Sequence, residues 1–236
     1  MGNTTVSAAD VARFDSLAAG WWDPNGSMRA LHRMNPVRIG WIADRVLRRF
    51  PDSAGVRVLD VGCGAGLAAE ALARRGFNVL GLDAGVETIA AAETHAAGQG
   101  LRLTYRVGAP EDLLAEGLRF PVVTALEVIE HVPDPAAFAR TLAGLLQPGG
   151  LLFLSTLNRT SRAFLTAKVG VEYVLRWLPV GTHDWRKFIT PVELGSLVRD
   201  AGLRVTDVAG LVPDPLRGGW RTSRDLGVNY LMAAAG

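Results

Sequence analysis

Residues 58–66 read Val-Leu-Asp-Val-Gly-Cys-Gly-Ala-Gly, an apolar run broken by one acid and followed by glycines at 62, 64 and 66. A run this apolar suits a strand buried on both faces of a sheet. Leu67–Arg75 then carries helical spacing. Strand, glycine turn and helix, in that order, let a nucleotide-like ligand lie against bare backbone at the carboxyl edge of a parallel sheet.

Outward from this turn the pattern repeats. Strands are predicted at Arg57–Val61, Phe77–Leu82, Leu101–Val107, Phe120–Leu126 and Leu151–Thr156, with helices at Leu67–Arg75, Val86–Ala97 and Pro135–Leu146. Alternation of this kind implies a parallel sheet covered on both faces. After an interruption at about 158–188, Pro191–Ala201 reads as a helix, and Leu203–Ala209 and Val228–Ala234 as strands. Two helices precede the first strand. Ser7–Trp22 has Val11, Phe14, Leu17, Ala18, Trp21 and Trp22 at helical spacing, with Ser7 and Asp10 as a capping pair. The second is predicted to start with Asn35 as its cap and Pro36 at its first position, and to run through Trp41 to about Phe50. The expected organisation is one domain: a helical cover over 1–50, a ligand-binding core over 57–156, a helical insertion over 158–188 and the remaining sheet over 191–236.

Composition narrows the class. The chain has 236 residues, 49% of them hydrophobic and 20% charged, which fits a globular α/β protein. The pI near 9.0 sounds basic, but 25 basic residues face 23 acidic ones, so no nucleic-acid footprint is expected. The single cysteine, Cys63, cannot form an internal disulfide, which fits a reducing cytosol, and reads as a small side chain within the turn. Met1–Asp10 is polar and lacks the apolar core of a signal peptide. Thr141–Asn158 is uncharged, but Gln147-Pro148-Gly149-Gly150 divides it into helix, turn and strand, so it is not expected to span a membrane.

The nucleotide can be narrowed further. Asp83 ends the second strand, 21 residues after Gly62, where an acid accepts both hydroxyls of a ribose bound at the turn. Asp60, just before the turn, either holds the loop or reaches a ligand ammonium. A dinucleotide site would want G-x-G-x-x-G, and here the third glycine comes one residue early. With Asp60 before the turn and a second glycine turn, Gln147–Gly150, entering the fifth strand, the chain resembles class I S-adenosylmethionine-dependent methyltransferases. Gly20-Trp21-Trp22-Asp23, LHRMNPVR at Leu31–Arg38, EVIEHVPDP at Glu127–Pro135, STLNR at Ser155–Arg159, GTHDWRKFI at Gly181–Ile189 and Val228-Asn229-Tyr230 narrow this further. They resemble the ubiquinone biosynthesis O-methyltransferases along nearly the whole chain.

This resemblance implies an α/β, Rossmann-like class I methyltransferase fold. Its sheet would be seven-stranded and mostly parallel with helices on both faces, plus N-terminal helices and an inserted helical lid. It implies S-adenosylmethionine as cofactor, with contacts at Arg38, Gly62, Asp83 and Leu126, and with Asp60 and Gly64 in the same turn. Arg38 would pair with the cofactor carboxylate, and Leu126 would pack near the adenine or sulfonium. Leu126 stands where the family often has methionine, and Pro121 where it commonly has an acid. The implied substrates are polyprenyl phenols and quinols: 3-demethylubiquinol and 2-polyprenyl-6-hydroxyphenol.

Methyl transfer needs an aligned acceptor oxygen and a route for its proton, and a phenol with a pKa of about 10 needs help at neutral pH. Glu127, Glu130 and His131 form E-x-x-E-H at the exit of strand four, the edge that faces the ligand crevice. The three could bind Mg²⁺ or another divalent ion and lower the phenol pKa, as family members do. Alternatively His131 is the base, oriented by Glu130. His32 and His183 are further candidate bases, and His95 reads as a surface residue.

Residues 162–178 project as a helix with Lys168, Glu172 and Arg176 on one row, Arg162 beside them, and a wide apolar arc from Phe164 to Leu178. That pattern suits a helix in a membrane interface or a lid over the site. The resemblance implies a cytoplasmic protein, peripheral on the inner face of the membrane, whose partners could include other ubiquinone biosynthesis proteins. Three rival readings stand beside it: another small-molecule methyltransferase, a nicotinamide-dependent oxidoreductase, and a non-catalytic lipid-binding module.

Overall fold

The computed structural model describes residues 5–52, 54–165, 185–214 and 219–236. Eight strands form one sheet: β1 (Arg57–Val61), β2 (Asn78–Asp83), β3 (Leu103–Val107), β4 (Phe120–Leu126), β5 (Leu146–Leu157), β6 (Arg204–Asp214), β7 (Gly219–Ser223) and β8 (Asn229–Ala235). Their order is β3-β2-β1-β4-β5-β8-β6-β7. The first five pair in parallel, and β8, β6 and β7 join antiparallel. The class is the expected one, with one strand more than the seven predicted. The additional strand is β7, whose single large apolar residue, Trp220, provides no periodic signal. Pro121 sits where the β4–β5 register shifts between Phe120 and Val122, a position that makes no demand on its missing N–H.

Among the described residues, eight α-helices accompany the sheet: α1 (Ala8–Asp15), α2 (Arg29–Arg49), α3 (Leu67–Ala73), α4 (Val86–Ala96), α5 (Pro110–Ala115), α6 (Pro135–Gly144), the single turn α7 (Ser161–Ala163) and α8 (Pro191–Asp200). Successive strand residues point to opposite faces, and the core divides accordingly. Val58, Val122 and Phe153 pack with Ile39, Ile42 and Leu72 of α2 and α3. Leu59, Val123 and Leu152 pack with Phe138, Leu142 and Val198 of α6 and α8. The apolar run at 58–61 is therefore buried on both sides.

The N-terminal helices depart from expectation. Ser7 does cap α1, accepting from the Asp10 amide at 3.4 Å. The helix stops at Asp15, and a short 3-10 turn, Ala18–Gly20, follows. The Asp15 carboxylate is used elsewhere, capping α4 through the amide and hydroxyl of Thr88 at 3.0 and 2.6 Å. Asn35 is not a cap. α2 begins at Arg29 with no side-chain cap, and Pro36 lies inside it. An internal proline costs about 3 kcal/mol, but Ile39, Ile42 and Val46 of the same helix are fully buried, each contributing about 1.5–3 kcal/mol. Burial wins, and the helix runs through. α2 is tied to the far side of the sheet by Arg45, whose Nε donates to Asp207 Oδ2 at 3.0 Å while its guanidinium covers the Trp41 ring.

β1 and β4 are neighbours, yet the chain leaves β1 toward β2 and β3 before returning to β4. Their carboxyl ends therefore diverge and open a crevice, with the glycine turn on one side and the 127–131 segment on the other. Of the predicted insertion, α7 and a 3-10 turn at Trp185–Lys187 are described. The amphipathic face projected for 162–178 and the candidate base His183 lie largely outside the described residues.

Candidate functional site

The glycine turn is held from β2. The amides of Gly62 and Cys63 both donate to the Leu82 carbonyl, at 2.7 and 3.1 Å. Asp83 accepts from Gly64 N through one oxygen and from Gly85 N through the other, both at 2.9 Å. Burial raises the Asp83 carboxyl above its usual range, and these amides pull it back. Gly62 has φ 67° and Gly64 φ 55°. A Cβ on Gly62 would stand 2.5 Å from a Val128 methyl, and one on Gly64 2.3 Å from the Trp21 ring. Backbone conformation and space both demand glycine here. Cys63 is buried within the turn, and that burial holds its thiol protonated, which removes it as a nucleophile.

Asp60 does not hold the turn, since that role falls to Asp83. Asp60 is buried, accepts a 2.6 Å hydrogen bond from Thr124 Oγ1 through Oδ1, and leaves Oδ2 without a partner. Burial pushes its carboxyl up to about 6, against the pull of Thr124 and the Arg38 charge. Arg38, on α2, is only 3% exposed. Its Nη2 donates to Asn35 Oδ1 at 3.2 Å, Nη1 lies 4.0 Å from Glu127 Oε1, and Nε has no partner. Burial lowers its pKa, offset by the charges of Glu127 and Asp60. A guanidinium and a carboxylate thus lie buried together, each with hydrogen-bonding capacity in reserve.

Glu127 leaves β4 at φ 58°, the one non-glycine residue with positive φ among the described residues. Its amide donates to the Ser155 carbonyl at 3.0 Å. Its carboxylate accepts from Ser155 Oγ at 2.6 Å and from Asn229 Nδ2 at 3.0 and 3.1 Å. Glu130 and His131 follow in a 3-10 turn, Ile129–His131. Glu130 is buried with Oε2 unpartnered. Burial, and then the Glu127 charge, push its carboxyl up to about 8. His131 turns toward α1, its Nδ1 3.7 Å from Asp10 Oδ1 and its ring edge-on to Phe14 at 5.2 Å.

The expected metal triad is not assembled. Among the described residues, no group of three His, Cys, Asp or Glu side chains converges as a metal site. The physical reason is that each member is drawn elsewhere: Glu127 to Ser155 and Asn229, Glu130 into the interior, His131 to Asp10. His32 is also misplaced as a base, because its Nε2 bonds the Trp21 carbonyl at 2.9 Å and its ring lies against Trp22, outside the cavity lining. His95 stacks on Trp22 and meets Glu70 at 2.7 Å, away from the site.

One cavity of about 360 Å³ unites the rest. Arg38, Asp60, Gly62, Gly64, Asp83, Leu126, Glu127, Glu130 and His131 all line it. A family model described as a methyltransferase domain matches residues 32–208. Ubiquinone biosynthesis O-methyltransferases of Azorhizobium caulinodans and Methylobacterium nodulans are 48% and 50% identical to this chain. The matches span 98% of this chain and 94% of the first relative, and 99% and 98% for the second. The chain belongs to the ubiquinone biosynthesis O-methyltransferase family. The family inferred from the motifs is thus the family found. The fold of this chain is shared with a magnesium protoporphyrin IX methyltransferase from Synechocystis PCC 6803, crystallised with bound SAM, at TM-score 0.63 and 19% identity over 99% of both chains.

Sequence reasoning missed several residues that build this methyltransferase's site. Ser155 and Asn229 fall within the quoted STLNR and Val-Asn-Tyr motifs, but these and Thr124 act through cross-strand neighbours, so nothing local in the sequence marks their roles. Asp10, Phe14 and Trp21 reach the cavity from the N-terminal cover. Their signals were an apolar helical face for Phe14 and Trp21, the Gly20–Asp23 motif for Trp21 and a helix-capping position for Asp10, none of which points to a cavity.

Proposed function

We propose that this chain transfers the methyl group of S-adenosylmethionine to a phenolic oxygen of polyprenylated diol rings, 3-demethylubiquinol and 2-polyprenyl-6-hydroxyphenol. The observation that carries this is one continuous cavity running from the glycine turn and Asp83 to Glu130 and His131. S-Adenosylmethionine would supply an electrophilic methyl on a sulfonium, a good leaving group. Arg38 takes its carboxylate and Asp60 its ammonium, using the capacity that Arg38 Nε and Asp60 Oδ2 hold in reserve. Asp83 takes the ribose hydroxyls on lone pairs its two backbone amides leave free. Gly62 and Gly64 admit the ligand against backbone, and Leu126 packs beside it.

The acceptor oxygen must lose a proton as its bond to the methyl forms and the carbon–sulfur bond breaks. Glu130 in its ionised form, which burial makes a stronger base than an ordinary carboxylate, takes that proton. His131, in the same turn, is the alternative base. The prenyl tail and residues 162–178 would meet at the membrane surface, making this a peripheral protein on the cytoplasmic side. Other proteins of ubiquinone biosynthesis would be its neighbours there.

The test is methyl transfer from S-adenosylmethionine to a short-chain demethylubiquinol, with and without chelator. Transfer is expected, and His131→Ala and Glu130→Gln at saturating cofactor identify the base. Activity lost to chelator and restored by Mg²⁺ would return Glu127, Glu130 and His131 to the role of metal ligands. Binding of NAD in place of S-adenosylhomocysteine, with no methyl transfer, would overturn the proposal.

A further inference from the structure

Asn229 opens β8 and is 2% exposed. Its Nδ2 reaches both oxygens of Glu127, at 3.0 and 3.1 Å. A carboxylate only accepts hydrogen bonds, so the amide nitrogen must face it and the amide orientation is fixed. Oδ1 is thereby turned away from Glu127. It is buried, it has no hydrogen-bond partner, and Asn229 lines the cavity. Glu130 Oε2 is the other buried, unpartnered oxygen contributed by this end of the same cavity. Asn229 Oδ1 can only accept, so leaving it buried in this chamber costs free energy unless a ligand supplies a donor.

We propose that Asn229 Oδ1 receives the hydroxyl adjacent to the one that is methylated, and so selects acceptors with two neighbouring hydroxyls. This rests on the methyl-transfer reading above. Both acceptors named there carry such a pair. Glu130 takes the proton of the reacting hydroxyl, while Asn229 accepts a hydrogen bond from its neighbour and sets the ring's rotation in the site. A ring with one hydroxyl, or with a methoxy group beside it, leaves Oδ1 buried and unsatisfied. Glu127 contributes by fixing the amide, and its own attachment to Ser155 and its left-handed backbone fix Glu127 in turn.

The experiment compares kcat/KM for a short-chain catechol and for the matching monophenol, measured on the same preparation so that the fraction of folded enzyme cancels in the ratio. Wild type is expected to favour the catechol by about a hundredfold or more. Asn229→Ala is expected to cut that ratio by about tenfold or more, with affinity for S-adenosylhomocysteine by calorimetry within about twofold of wild type. Asn229→Ser keeps a donor for Glu127 but no oxygen in the place of Oδ1, and is expected to lose the preference likewise. Both acceptors falling together, with the ratio unchanged in either variant, would overturn the inference and leave Asn229 as a support for Glu127. A wild type that methylates neither ring overturns the methyl-transfer reading and this inference with it.

Discussion

Glu127, Glu130 and Asp60 show how single residues in this site are set against their ordinary preferences. Glu127 carries a left-handed backbone that costs about 1–3 kcal/mol and persists only because Ser155 and Asn229 hold its carboxylate. Glu130 is a carboxyl that ionises at about 8 when folded, against about 4.3 when unfolded. Between those values the native state keeps a proton that the unfolded state has released, so its contribution to stability falls as pH rises through that window. Glu130→Gln has no such loss. Urea unfolding at pH 5 and pH 8.5 is expected to show the variant gaining on wild type by more than about 1 kcal/mol at the higher pH. A constant difference would mean an ordinary carboxyl. Of the nine candidate site residues, all of which line the cavity, those of the glycine turn, Asp83 and the strand exit were legible by counting, while Arg38 and Leu126 came from the family resemblance alone. The role of Asn229 was not legible, because its partner lies 102 residues away and is reached only through strand pairing.

At the scale of elements, α2 carries the clearest lesson. Asn35-Pro36 is a strong local signal for a helix start, while the true start beside Met28 has no capping side chain. Packing overrode the signal and gave Asn35 a different task. Its Nδ2 donates to the Leu67 carbonyl at the head of α3, and its Oδ1 accepts from Arg38. Asn35 therefore couples α2 to the helix that follows the glycine turn and keeps Arg38 aimed. Asn35→Ala is expected to lower stability by about 1–3 kcal/mol, the cost of orphaning buried polar groups. It should also weaken S-adenosylhomocysteine binding several-fold, read by denaturant unfolding and calorimetry. Unchanged affinity would release Arg38 from dependence on Asn35. The parallel strands β1 to β5 were legible as apolar runs at helix-separated intervals. β7 was not, because an edge strand with one half-buried aromatic residue leaves little periodicity.

Across the whole molecule, near-balanced charge leaves a membrane role to local patterning rather than to net attraction. Among the described residues no helix is long and apolar enough to cross a membrane. Residues 162–178 remain the proposed contact. The protein is expected to sediment with anionic liposomes and to lose this on deletion of 162–178, and unchanged sedimentation would dispose of the membrane role. One consequence of the strand order concerns how the chain is made. β8 lies between β5 and β6, although both are synthesised before it. Until β8 has been made, those two strands present open edges with no neighbour between them, a state prone to mispairing. The same late segment delivers Asn229 to Glu127. Closure of the sheet and completion of the acceptor end of the cavity are thus one event, so a nascent chain stalled ahead of β8 lacks both a closed sheet and a finished site.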